Sequence, residues 1–74
     1  MNPREAVLAV LREAGEPLHW TVIQDRALRG GYLDPFEVPD VRKVILGTLG
    51  ELARDGVLGR EAKGVYVLID GSEP

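Results

Sequence analysis

The chain contains no cysteine, one histidine (His19), one tryptophan (Trp20) and one phenylalanine (Phe36). Without cysteine, neither a disulfide framework nor a thiolate zinc site can hold it together. With a single histidine, no multi-histidine metal centre can form. Its apolar runs fall far short of the ~20 residues a membrane-spanning helix requires. The amino terminus lacks a basic segment followed by an apolar one, so no signal peptide is expected. These absences predict a cytoplasmic protein with no membrane partner and no cofactor.

Catalysis fails on the same inventory. There is no thiol nucleophile, and His19 has no nearby serine to activate. Gly47-Thr48-Leu49-Gly50 falls inside a helical pattern, whereas a phosphate-cradling loop needs strand, loop and helix in succession. Asp34 and Glu37 read as capping groups rather than an acid–base pair. The chain is not expected to be an enzyme.

At 74 residues the expectation is one small domain over residues 1–70, followed by a polar tail, 71–74. Asn2 caps a first helix, with Pro3 in its opening turn and Glu5 returning the bond; Gly15 stops it. Val7, Val10, Leu11 and Ala14 recur on one face. Pro17 to Trp20 reads as one extended stub. Thr21-Val22-Ile23-Gln24 reads as a second capping box that opens a helix to about Arg29, ended by Gly30-Gly31. Asp34 to Glu37 reads as a capped turn, with Tyr32, Leu33 and Phe36 folding back as an apolar plug. Pro39 is expected in the first turn of a third helix that runs to Asp55 and stops at Gly56. Val57–Glu61 and Val65–Ile69 then pair as a hairpin around Ala62-Lys63-Gly64. The predicted class is α+β: a small winged helix-turn-helix of three helices, a stub strand and a C-terminal two-stranded wing.

The net charge is −3, which is poor for a nucleic-acid binder, but its distribution is uneven. Residues 40–65 carry Arg42, Lys43, Arg54, Arg60 and Lys63 against Asp40, Glu51, Asp55 and Glu61. On a helical wheel Val41, Ile45, Leu49 and Leu52 gather on one side of the third helix. Lys43, Gly47, Gly50 and Arg54 form the opposite stripe. An interior glycine costs a helix roughly 1 kcal/mol relative to alanine. Two of them on one exposed stripe suggest a surface that another molecule approaches closely. The competing reading is an ordinary solvated face, with Arg54 and Lys43 paired to acids such as Glu51. Trp20 and Tyr66 are expected to pack, and His19 to be a strand-edge residue with a hydrogen-bonded ring.

Several segments together carry a family resemblance: Ala6 to Ala14, Gly-Glu-Pro-Leu-His-Trp at 15–20, Val22-Ile23, Val41-Arg42 and Gly64-Val65-Tyr66-Val67-Leu68. With these the chain resembles the HARE-HTH group of winged helices, which occur in the delta subunit of bacterial RNA polymerase, in restriction enzymes and in chromatin proteins. The resemblance implies a winged helix serving transcription or DNA metabolism. The expected partner is duplex DNA, contacted by Arg42, Lys43, Gly47, Gly50 and Arg54 of the third helix and by Arg60 and Lys63 of the wing. Two alternatives are a module docking on RNA polymerase or another protein, and a homodimer through the Leu46, Gly47 and Gly50 face without nucleic acid.

Overall fold

The computed structural model describes residues 1–69; Asp70 and the expected tail, 71–74, lie outside the described residues. In chain order the elements are α1 (Pro3–Ala14), β1 (Leu18–His19), α2 (Trp20–Arg29), α3 (Val41–Arg54), β2 (Leu58–Ala62) and β3 (Val65–Leu68). Three helices pack with a three-stranded antiparallel sheet of order β1-β3-β2. This is a small α+β domain.

Each helix end has a local cause. At the start of α1, the Asn2 side chain accepts from the Glu5 N–H at 2.8 Å, and the Glu5 carboxylate accepts from the Asn2 N–H at 3.4 Å. Gly15 closes the helix at φ 65°, donating to the Leu11 carbonyl at 3.1 Å. Gly31 and Gly56, at φ 76° and 80°, occupy the left-handed position after α2 and α3. Beyond them the N–H groups of Tyr32 and Val57 bond back to the carbonyls of Ala27 and Leu52. Both ends thereby satisfy carbonyls that a helix terminus otherwise orphans.

Two helix starts differ from the sequence expectation. Trp20 is the first residue of α2, and the cap is the His19 ring rather than Thr21. Its Nδ1 accepts from the Thr21 N–H at 3.3 Å and lies 2.8 Å from the Thr21 hydroxyl. Imidazole can supply the acceptor that serine or aspartate usually gives, and β1 places it there. Pro39 lies outside α3, whose cap is Asp40 at φ 53° with no side-chain cap bond. A short acidic side chain tolerates that left-handed backbone better than most.

The core is formed by Ala6, Val7, Val10 and Leu11 of α1, Ile23 and Ala27 of α2, and Ile45, Leu49 and Leu52 of α3. Leu18, Leu33, Leu58 and Tyr66 complete it. The spacing in α3 matches the apolar side of the wheel. In the hairpin, Leu58 faces Leu68, Gly59 faces Val67 and Arg60 faces Tyr66, whereas Val65 faces Ala62. Glu61 is thus the extra residue of a bulge, and Ala62 belongs to β2, leaving Lys63-Gly64 as the turn. Bulges of this kind increase local twist. β1 extends the sheet through Leu18 opposite Tyr66 and His19 opposite Val65.

The expected plug forms only in part. Leu33 is buried, and Tyr32 lies against Gly30 and donates its hydroxyl to the Glu13 carboxylate. Phe36 is 97% exposed. Asp34 holds the turn: its carboxylate accepts from the Phe36 N–H at 2.9 Å, and its carbonyl accepts from Glu37 and Val38 at 3.0 Å each. That geometry directs the ring outward. No described helix is long and apolar enough to cross a membrane.

Candidate nucleic-acid interface

The outward stripe of α3 is open. Lys43, Gly47 and Arg54 are exposed and Gly50 is half-buried. A Cβ built on Gly47 or Gly50 meets no atom within 4 Å, so nothing among the described residues requires glycine there. From Lys43 to Arg54 the stripe runs about 16 Å along the helix axis, with a cation at each end and no bulky side chain between. Glu51 is exposed and flanks the stripe on the wheel.

The Glu51–Arg54 pair of the competing solvated-face reading is not formed among the described residues. Among the described residues, the ion pairs are Arg4–Asp55 at 3.4 Å and Arg29–Asp25 at 2.9 Å. Arg42, Lys43, Arg54, Arg60 and Lys63 have no carboxylate partner within that set. Asp55 follows Arg54 directly but turns to Arg4 instead. The cations of α3 thus form no ion pair among the described residues, although Asp40 borders Arg42 and Lys43 and Glu51 flanks the stripe.

Two arginines rest on aromatic rings. The Arg42 guanidinium carbon lies 5.5 Å from the centroid of the Trp20 ring, and that of Arg60 lies 5.5 Å from the centroid of Tyr66. Such cation–π contacts contribute about 0.5–1 kcal/mol at exposed sites. They also restrict the long side chain before any ligand arrives. Trp20 was expected only as packing; it packs partly against the core and carries Arg42 as well. The signal for this role was that His19-Trp20 holds the chain's sole histidine and sole tryptophan, yet their contact with Arg42 depends on tertiary structure.

Trp20 also ties the hairpin turn to the helices. Its N–H donates to the Gly64 carbonyl at 2.9 Å. Gly64 has φ 76°, and a Cβ there would lie 2.9 Å from His19 Nε2 and 3.2 Å from the Trp20 ring. The centroids of the His19 and Trp20 rings are 5.8 Å apart. A continuous set of contacts thus runs from Arg42 through Trp20 and His19 to the turn bearing Lys63. The fold thus connects Arg42, at the start of α3, to the hairpin turn in which Lys63 sits. Arg54 stands at the far end of α3, and Arg60 stands on β2 over Tyr66.

Nothing here is arranged for metal binding: among the described residues, no three His, Cys, Asp or Glu side chains cluster suitably. The Tyr32 phenol is held above its ordinary range, first by its hydrogen bond to Glu13 and then by desolvation and the Glu13 charge. It belongs to the α1–α2 packing, not to the cationic set. Comparison with known proteins identifies no relative: no family model, no curated protein and no solved structure matches this chain.

Proposed function

We propose that this chain is a winged helix-turn-helix module that binds duplex DNA, with α3 as the element presented to the groove and the β2–β3 hairpin as the wing. The observation that carries the reading is the open α3 stripe, whose cations have no carboxylate partners among the described residues. A major groove about 12 Å wide admits one helix, and a stripe of glycines lets the backbone approach without a collar of side chains. The order helix, strand, helix, helix, strand, strand and the sheet order β1-β3-β2 suit that architecture. So does the resemblance of residues 15–20 and 64–68 to the HARE-HTH group.

Arg42, Lys43, Arg54, Arg60 and Lys63 all serve phosphates in this reading, and Lys43 and Arg54, on the stripe itself, are the two within reach of base edges as well. Phosphate contacts fix position and base contacts fix sequence. With no Asn or Gln on α3, adenine readout is absent, so binding is governed by the backbone and has modest sequence preference. Five cations engaged on phosphate give a slope of log K against log salt of about −4.5. Fluorescence anisotropy on a labelled duplex across a salt series tests this. K43A is expected to weaken binding to every sequence alike and to flatten the slope by about 1. An unaltered affinity and slope remove α3 from the interface.

A further inference from the structure

Phe36 does none of the work described so far. It protrudes from the α2–α3 connection, and Asp34 hydrogen bonds, with Pro35 and Pro39 on either side, fix the turn that carries it. An aromatic ring can bury on the order of 150–250 Å² against a partner, and a preformed turn lowers the ordering cost of doing so. Asp34, Glu37 and Asp40 lie within four residues of Phe36 along the chain, and none of the three makes an ion pair among the described residues. Acids around the knob repel phosphate, so its complement is a protein surface with an apolar floor and basic walls.

This chain carries such a surface. Arg42, Lys43 and Leu46, with Asp40 at one edge, line an open depression of about 290 Å³. Asp40 ends the turn that bears Phe36 and also borders the depression, and four residues of chain span about 14 Å at most. Knob and depression are therefore neighbours at one end of the molecule. Neighbouring complementary features can be exchanged across a two-fold axis, each entering the other's partner and closing the assembly at two copies.

We infer that Phe36 is the anchor of a two-fold self-association, in which its ring enters the Arg42–Lys43–Leu46 depression of a second copy and Glu37 faces Lys43 across the interface. The contact is small, which places the dimer in the weak class. The inference does not rest on DNA binding: the depression takes in Arg42 and Lys43 of the proposed DNA face, so a second copy and DNA compete for it, and association is tested without DNA. Sedimentation across a concentration series reads the dimer constant, and NMR on a mixture of labelled and unlabelled chains reads contacts between copies. The expected results are an intermolecular contact from the Phe36 ring to Leu46 methyls and a loss of roughly tenfold or more in association for F36A. Because Phe36 is exposed, F36A retains the fold. E37K and K43E each weaken association by like-charge contact, and the E37K/K43E chain recovers it. A monomer at all concentrations up to about 1 mM, an F36A dimer as tight as the wild type, or a double variant that fails to recover overturns the proposal. The first two outcomes give the knob to a different protein.

Discussion

The Arg42 guanidinium carbon stands 5.5 Å from the centroid of the Trp20 ring, while the Trp20 N–H bonds the Gly64 carbonyl at 2.9 Å. One residue at the start of α2 thereby sets an α3 cation and fixes the hairpin turn. Replacing Trp20 by leucine keeps apolar bulk and removes the ring face. The expected outcome is a two- to fivefold loss of DNA affinity, matching the free energy of an exposed cation–π contact. In an R42A background the same change has no further effect, because the two residues act as a unit. Anisotropy on the four chains of the cycle measures the coupling.

The glycines of α3 and of the hairpin turn respond in opposite directions. G47A fills open space on a helix, so its expected effect is stabilisation of up to about 1 kcal/mol, accompanied by weaker DNA binding. G64A places a Cβ against His19 at a positive φ, and its expected effect is a loss exceeding about 1 kcal/mol. Urea denaturation of both variants checks the pair. A stabilised G47A with undiminished DNA affinity contradicts the close-approach role of the stripe.

His19 caps α2 through a ring nitrogen. H19A therefore removes an acceptor for the Thr21 N–H, at an expected cost of about 1 kcal/mol. H19N restores an acceptor on a shorter side chain and is expected to recover part of the loss. Thermal melts of the three chains at one pH near neutrality rank them.

Tyr32 gives the chain an alkaline signature. The hydrogen bond to Glu13 makes the folded phenol hold its proton more tightly than the unfolded one. The resulting stabilisation is complete below the ordinary phenol range near pH 10. It is lost as the pH rises through the elevated folded value. The difference in urea midpoint between wild type and Y32F is expected to hold constant up to about pH 9 and to narrow as the pH rises above about 10. A constant difference assigns Tyr32 a packing role alone.

Where the sequence reading succeeded, the determinants were local. The Asn2–Glu5 box, the glycines after each helix and the apolar face of α3 rest on spacing within a few residues. Where it failed, the determinants were positional. Thr21 looked like a cap by residue type, but β1 brings the His19 ring to the same N–H. Phe36 looked like core by hydrophobicity, but transfer preference does not overcome a turn that Asp34 aims outward. The cationic set was legible by residue and by face. Its supports were not, because Arg42 meets Trp20 and Arg60 meets Tyr66 only once the elements pack. Asp55 likewise turned to Arg4 on α1, a contact that no local spacing predicts.

The central claim is that α3 and the hairpin meet duplex DNA, and an NMR titration of the ¹⁵N-labelled chain with mixed-sequence duplex tests it most directly. At low salt the account predicts amide shifts confined to residues 42–54 and 60–64, reversed as salt is raised. No shifts at low salt, or shifts centred on α1, contradict it.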